Sequence, residues 1–210
     1  MLIFLGGAPR VGKSFIAHEL SKRLDISYCS TDDLRWGEKE IGYIAKNNPL
    51  FLFDKMEHWT GDRSIYKNYS IKELIEAQNK ESKEVLKLVN GFIASLNDNK
   101  EDFILEGVAL VPHLIPKEFI EKYQIQFFCI GNTNYTSFIE YSWFHRTQGD
   151  WLKKVDYETF SKIINYCSVF SEHFKLESEK RNIPYFEIAS NNFQQNSSYI
   201  INSIIESIRL

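Results

Sequence analysis

The chain has 210 residues, of which 43% are hydrophobic and 25% are charged. This composition is ordinary for a globular protein, and the length suits one core, so we expect a single domain over residues 1–210. The net charge of −3 argues against nucleic acid or an anionic membrane as a partner. No apolar run reaches the roughly 20 residues of a membrane span, and the three cysteines lack metal-ligand or disulfide spacing. We therefore expect a cytoplasmic protein.

The chain begins with a short apolar run at residues 2–5, which predicts a buried strand, and a helical pattern covers residues 15–24. Between them, the sequence GAPRVGKS fits the phosphate-loop pattern G-x-x-x-x-G-K-[ST] at every fixed position. A strand, a glycine loop and a helix in this order direct backbone N–H groups and the helix N-terminus at an anion. Lys13 can then bring charge to the β- and γ-phosphates of a nucleotide as a catalytic group, and the Ser14 hydroxyl can bind Mg²⁺. The residues predicted to bind ATP in this segment are Gly7, Ala8, Pro9, Arg10, Val11, Gly12, Lys13, Ser14 and Phe15.

The second predicted strand, residues 26–29, runs directly into the sequence STDDLR. The carboxyl end of a parallel strand lies beside the loop of its neighbour, where ligands bind. Phosphoryl transfer uses a carboxylate that orients the acceptor hydroxyl or takes its proton. Asp32 is the first candidate for that role and a candidate Mg²⁺ ligand, Asp33 is the second candidate, and Arg35 could clamp an anionic acceptor. The alternative is that Thr31 or Asp32 caps the next helix and that Arg35 is solvated.

The middle of the chain contains an irregular segment, a long helix and a strand. Residues 37–69 have scattered aromatics and no clean period, which makes them a candidate acceptor-binding cap. Ser70 and Glu73 fit a capping box that begins a long helix. The third predicted strand, residues 103–105, ends in Glu106, whose carboxylate could reach the acceptor or a Mg²⁺-bound water. The alternative is an ordinary acid at the end of a strand.

The second half of the chain adds two strands and three helices. Apolar and helical patterns predict strands at 125–130 and 184–188 and helices at 136–146, 157–181 and 198–209. Residues 145–156 gather basic groups around a glycine and form a candidate lid, in which Arg146 would stabilise the transferring phosphoryl group. A solvated turn is the alternative for this segment. Asn191 follows the last strand and is predicted to contact the adenine base, with a plain turn as the alternative.

Strands that alternate with helices predict a parallel sheet with helices on both faces. Five such strands predict an α/β fold of the three-layer α/β/α type found in P-loop nucleoside triphosphatases. The phosphate loop, Asp32 and Glu106 would then share the carboxyl edge of the sheet. The loop alone does not distinguish a kinase from another nucleotide-binding protein.

Three segments together resemble a known family. The loop GGAPRVGKS, the segment STDDLR and the run LEGVALVP are similar to the 2-phosphoglycerate kinase-like branch of the small P-loop kinases, a group that includes the nucleoside monophosphate and shikimate kinases. The resemblance implies ATP as phosphoryl donor, Mg²⁺, and a small-molecule acceptor such as 2-phosphoglycerate. It also implies functional roles for Lys13, Ser14, Asp32, Arg35 and Glu106.

Two other functions stay open at this point. One is a nucleotide-binding regulator or simple nucleoside triphosphatase without a metabolite acceptor. The other is a phosphotransferase that acts on a drug or a toxin-type target. The sequence does not give the oligomeric state.

Overall fold

A computed structural model describes residues 1–40, 63–146, 150–189 and 192–208 of the protein. The strands are β1 (Leu2–Gly7), β2 (Ser27–Ser30), β3 (Phe103–Gly107), β4 (Ile125–Gly131) and β5 (Tyr185–Glu187). The helices of the described part are α1 (Lys13–Leu24), α2 (Thr31–Glu40), α3 (Ile65–Asn68), α4 (Ile71–Asp98), α5 (Lys117–Lys122), α6 (Tyr135–Phe144), α7 (Tyr157–Glu179) and α8 (Phe193–Ile208). A short 3₁₀ turn lies at Pro112–Leu114.

The strands form one parallel sheet in the order β2-β3-β1-β4-β5. β1 is central and all of its residues are buried, as expected for a parallel strand that is covered on both faces. Along β3, Glu106 pairs with Leu5 of β1 and with Ser30 of β2. The carboxyl ends of these three strands therefore lie at one level, and that edge of the sheet carries the phosphate loop.

Helices cover the sheet and enclose its core. α1 packs against β3 and α8, whereas α7 packs against β4, α4 and the 3₁₀ turn. The α7 core residues Phe170 and Phe174 are fully buried, with ring centroids 5.0 Å apart. This arrangement confirms the predicted α/β/α fold with a five-stranded parallel sheet.

Several helices and strands begin or end at residues other than the predicted ones. α1 begins at Lys13 rather than residue 15, and α8 begins at Phe193 rather than residue 198. β3 continues through Glu106 to Gly107, so the acid lies within the strand rather than after it. These three elements extend beyond their predicted bounds because backbone hydrogen bonding continues into polar and glycine positions that carry no hydrophobic signal. In contrast, β5 and the helices Tyr135–Phe144 and Tyr157–Glu179 end before their predicted last residues.

The capping box predicted at the start of the long helix is confirmed. The Ser70 N–H donates to Glu73 Oε2 over 2.8 Å, and the Glu73 N–H donates to Ser70 Oγ over 3.3 Å. None of the described helices is long and apolar enough to cross a membrane. The single domain, the cap at residues 37–69 and the lid at residues 145–156 stay predictions, and residues 41–62 and 147–149 lie outside the described part of the chain.

Candidate active site

The phosphate loop (residues 7–14) connects the carboxyl end of β1 to the first turn of α1. Gly12 precedes the helix with φ of 86° and ψ of 16°, in the left-handed region that favours glycine. A Cβ atom at Gly12 would also lie 2.6 Å from the ring of Phe193. The glycine therefore allows a tight turn into α1, whose free N-terminal N–H groups can bind an anion.

Lys13 is enclosed by this loop, with only 7% of its surface exposed. Its ammonium donates a hydrogen bond to the carbonyl oxygen of Ala8 over 2.8 Å. Burial lowers the pKa of Lys13, and the charges of Glu106 and Asp32 raise it, with a net lowering. The ammonium is thus held at the loop within the field of two carboxylates.

Glu106 lies beside the start of α1. The Ser14 hydroxyl donates a hydrogen bond to it, with 2.8 Å between Ser14 Oγ and Glu106 Oε1. Because β1 and β3 are neighbours in register, the strand itself sets the carboxylate against the loop. The structure therefore brings Glu106, predicted as an acceptor-binding residue, into contact with the predicted metal ligand Ser14.

The oxygen atoms at this point fit a magnesium ion. Mg²⁺ at phosphate sites is usually bound by one or two carboxylates together with phosphate oxygens and waters. Ser14 and Glu106 offer a hydroxyl and a carboxylate, and Asp32 lines the same cavity. Among the described residues, no group of three or more His, Cys, Asp or Glu side chains could hold a metal ion. The donor set thus fits an ion that would share its coordination with a nucleotide.

Asp32 and Asp33 have different surroundings although they are neighbours. The Ser30 N–H donates to Asp33 Oδ2 over 2.9 Å, and the Asp32 N–H donates to Ser30 Oγ over 3.2 Å. Ser30 and Asp33 therefore cap α2, in place of the Thr31 or Asp32 cap given as an alternative. The Asp32 carboxyl lines the cavity and stays accessible from it.

The environment of Asp32 alters its acidity. Enclosure by protein raises the pKa of Asp32, Arg35 and Lys13 lower it, and Asp33 raises it again, with a net upward shift. A carboxylate with a raised pKa is a stronger base than an ordinary aspartate. The Asp32 carboxylate is thus suited to accept a proton from an acceptor hydroxyl.

Arg35 is buried and paired rather than solvated. Its Nε lies 2.9 Å from Glu81 Oε1, and the two side chains are 3% and 7% exposed. Arg35 comes from α2 and Glu81 from α4, so the ion pair ties two helices together at the cavity. Sequence reasoning missed Glu81, although an acid in the apolar stripe of α4, seven residues after the buried Leu74, was a detectable signal.

These side chains surround a cavity of about 550 Å³, a volume within the range of small-molecule sites. Its lining contains the predicted residues Pro9, Arg10, Lys13, Ser14, Asp32, Asp33, Arg35 and Glu106. The lining also contains Tyr66 from the candidate cap and Trp151 from the candidate lid. The other lining residues described were not predicted as site residues, and they are Tyr28, Ser30, Gln78, Glu81, Gly107, Val108 and Tyr166. Gln78, Glu81 and Tyr166 come from helices that are distant in sequence from the phosphate loop, so no local motif links them to it.

Arg146 lies away from this lining in the described structure. Its Nε and Nη1 donate to the carbonyl oxygens of Trp143 and Leu152, over 3.1 and 3.2 Å. Its guanidinium also lies 3.5 Å from the centroid of the Trp143 ring. The catalytic role of Arg146 stays a prediction, and its observed contacts hold the end of α6 against the segment before α7.

A different arginine links the candidate lid to the loop. Arg10 Nη1 lies 2.7 Å from Asp150 Oδ1, and both side chains are largely buried. Burial raises the pKa of Asp150, but hydrogen bonds from Arg10 and from the Leu152 amide lower it further, so the net shift is downward. Asp150 therefore stays ionised and ties the start of the described residues 150–156 to the phosphate loop.

A second cavity of about 230 Å³ lies on the other side of the loop. It is lined by Arg10, Val11, Gly12, Asn132, Phe138, Tyr141, Ser142, His145, Ile188 and Phe193. Phe15, which is 37% exposed, packs on Phe193 with 5.3 Å between ring centroids. Asn191, the predicted adenine contact, lies outside the described residues, while Ile188 and Phe193 on either side of it line this cavity.

The parallel sheet and the loop before α1 define the class of the protein, which is a P-loop α/β/α fold. No family model matches the chain, and no curated protein matches it.

Solved structures are similar in fold at low sequence identity. Shikimate kinase from Bacteroides thetaiotaomicron is 12% identical, with a TM-score of 0.47 over 100% of this chain and 99% of that chain. Shikimate kinase from Aquifex aeolicus is 17% identical, with a TM-score of 0.46 and the same coverage of 100% and 99%. Deoxyadenosine kinase from M. mycoides with bound dATP is 16% identical, with a TM-score of 0.46 over 97% of this chain and 99% of that chain.

Proposed function

We propose that this protein is an ATP-dependent kinase that transfers the γ-phosphoryl group to a hydroxyl of a small molecule. One observation carries the proposal: Lys13, Asp32 and the hydrogen-bonded Ser14–Glu106 pair line a single cavity of about 550 Å³. A simple hydrolase needs to admit only water beside the γ-phosphate. A cavity of this volume, with a carboxylate at its side, has room for an acceptor as well.

The proposed donor site lies at the phosphate loop. Backbone N–H groups of the loop and the N-terminus of α1 bind the β- and γ-phosphates, and the Lys13 ammonium neutralises part of their charge. Ser14 and Glu106 hold Mg²⁺, which when bound neutralises charge on the phosphate oxygens. The nucleobase occupies the second cavity, against Ile188 and Phe193.

The proposed acceptor site begins at Asp32. The carboxylate accepts a hydrogen bond from the acceptor hydroxyl, orients its oxygen toward the γ-phosphorus and receives the proton as transfer proceeds. The upward shift of the pKa of Asp32 favours this role, since it makes the carboxylate more basic. Arg35 contributes from the cavity wall, where Glu81 fixes its orientation.

A screen of acceptors tests the proposal. The wild-type protein with labelled ATP and Mg²⁺ is incubated with hydroxylated metabolites, 2-phosphoglycerate among them because of the sequence resemblance. We expect label transfer to at least one acceptor, at a rate well above ATP hydrolysis without acceptor. Slow hydrolysis that no acceptor changes, with ATP binding intact, would replace the kinase with a simple nucleoside triphosphatase or regulator.

A further inference from the structure

Part of the lining of the cavity of about 550 Å³ comes from residues to which the proposed phosphoryl transfer gives no role. They are Tyr66 from α3, Gln78 from α4, Trp151, and Tyr166 from α7. Tyr66, Gln78 and Tyr166 are buried, with 5%, 7% and 1% of their surfaces exposed. A buried polar atom that has no hydrogen-bond partner in the protein is expected to meet a polar ligand or water, because an unsatisfied buried group is costly.

Tyr166 is the clearest case. Its Oη is buried and has no hydrogen-bond partner within the described part of the chain. Burial raises the pKa of Tyr166 well above its usual range, and nearby Tyr66 and Glu81 act in the same direction, so the phenol stays protonated. Because Tyr166 lines the cavity, a small movement of its side chain would offer this protonated hydroxyl to a ligand as a neutral donor.

Gln78 offers a second neutral group in the lining of the same cavity. Its amide Nε2 makes one long hydrogen bond, 3.4 Å from Ser82 Oγ. A primary amide carries both donors and an acceptor, so it can bind a ring edge that presents both. The Tyr66 and Tyr166 rings, with centroids 5.6 Å apart, add an aromatic wall against which a flat ring can pack.

The charges that line the cavity disfavour an anionic acceptor. Among its described residues, the carboxylates Asp32, Asp33, Glu81 and Glu106 outnumber the cations Arg10, Lys13 and Arg35. Arg10 is paired with Asp150 and Arg35 with Glu81, while Lys13 belongs to the phosphate loop. A phosphate group on the acceptor would therefore meet surplus negative charge among the described residues that line the cavity.

We propose that the acceptor is an uncharged hydroxyl compound with a flat, hydrogen-bonding ring, the chemistry of a nucleoside, whose ring edge binds Tyr166 and Gln78 while its hydroxyl reaches Asp32. This inference rests on the proposed kinase function and specifies its acceptor. The acceptor oxygen forms a bond to the γ-phosphorus of ATP, and the bond from that phosphorus to the β–γ bridging oxygen breaks. ADP leaves with the electron pair, and the hydroxyl proton passes to Asp32.

The closing experiment measures acceptor choice and the effect of one hydroxyl. Nucleosides, phosphoglycerates, nucleoside monophosphates and an amino sugar are compared as acceptors of label from ATP. We expect turnover of at least one nucleoside and none of the phosphorylated compounds. Tyr166→Phe should raise the KM for the nucleoside about tenfold or more with little change in kcat, because one hydrogen bond in the bound state is lost.

Stability distinguishes ligand binding from a structural role. Because the Tyr166 hydroxyl has no described protein partner, Tyr166→Phe should leave the melting temperature of the unliganded protein unchanged or raised. Affinity for a non-hydrolysable ATP analogue should also be unchanged. Tyr199→Phe, at a position 68% exposed, is the matched control and should alter none of these values.

The other outcomes of these measurements distinguish the nucleoside acceptor from the kinase function. Transfer to a phosphorylated compound or to the amino sugar, with nucleosides inactive, would overturn the nucleoside acceptor and leave the kinase proposal standing. No transfer to any acceptor despite ATP binding would overturn the kinase proposal itself. A lowered melting temperature for Tyr166→Phe with an unchanged KM would assign the hydroxyl to the fold.

Discussion

At the scale of single residues, two adjacent carboxylates acquire different roles from their hydrogen bonds. Asp33 accepts a bond from the Ser30 N–H and closes the first turn of α2. Asp32 lines the cavity, and burial raises the pKa of its carboxyl despite the opposing charges of Arg35 and Lys13. Both acids are conspicuous in the sequence, but only the backbone path from β2 into α2 decides which of them faces the ligand.

Asp32 therefore carries the first prediction. Asp32→Asn keeps the shape of the side chain and removes its ability to take a proton, so kcat should fall roughly 10²-fold or more. Affinity for an ATP analogue should be retained, because the phosphate loop is unchanged. Steady-state kinetics and direct binding measurements check the two values, and equal turnover in the variant would remove Asp32 from the proton-accepting role.

Gly107 carries the second prediction at this scale. A Cβ atom there would lie 1.8 Å from Thr31 Oγ1, and Thr31 is itself buried. Gly107→Ala should lower the free energy of unfolding by about 1–3 kcal/mol, since the core must shift to admit it. Gly91→Ala is the control. Gly91 lies inside α4, and a Cβ atom there would meet nothing within 4 Å.

Denaturant unfolding of the two glycine variants should give changes of opposite sign. Gly91→Ala should raise the free energy of unfolding by roughly 0.5–1 kcal/mol through the better helix propensity of alanine. If Gly107→Ala were as stable as the wild type, the end of β3 or Thr31 would have to shift at little cost to admit the Cβ atom, which would contradict this prediction.

At the scale of elements, side-chain caps define where helices begin. Asp156 precedes α7 and accepts bonds from the Thr159 N–H and hydroxyl, over 2.8 and 2.9 Å. At the start of α4, the Ser70 side chain likewise accepts a hydrogen bond from the N–H three residues later, that of Glu73. In both cases a polar residue just before an apolar period gave a usable sequence signal, so these helix starts were predictable to within a residue.

The Asp156 cap predicts a dependence of stability on pH. The backbone hydrogen bond from Thr159 is the main cause that lowers the pKa of Asp156 from 3.8 to about 2. The unfolded chain therefore binds more protons between these values, so the stabilisation is complete above the unfolded pKa and is lost as pH falls toward the folded pKa. Asp156→Asn does not titrate there, and the stability difference between wild type and variant should shrink as pH falls from about 4 to about 2. Urea unfolding at several pH values measures this difference in the free energy of unfolding. A difference that stays constant with pH would contradict the role of Asp156 as a titrating cap.

At the scale of the whole molecule, the large cavity exists because three helices meet at one edge of the sheet. α2 brings Arg35, α4 brings Glu81 and α7 brings Tyr166. Ligands that bind there should couple to global stability, because a ligand that binds only the folded state stabilises it by mass action.

A nucleotide should therefore raise the melting temperature. A non-hydrolysable ATP analogue with Mg²⁺ at 100 times its Kd should stabilise the wild type by about 2.7 kcal/mol, which corresponds to roughly 5–10 °C for a chain of this size. Lys13→Ala should lose most of this shift, whereas the exposed Lys175→Ala should keep it. Thermal unfolding with and without the analogue measures both. An equal shift in Lys13→Ala would place the nucleotide elsewhere.

The sequence alone determined the phosphate loop, the apolar strands and the alternation that produces the α/β/α fold, because contiguous residues and short periods carry those signals. Only the tertiary structure decided which side chains contact one another around the cavity. Ser14 meets Glu106, and Arg35 meets Glu81, through the register of the strands and the packing of helices. Partners so far apart in the chain leave no local pattern, so the surroundings of an acceptor emerge only after folding brings the helices together.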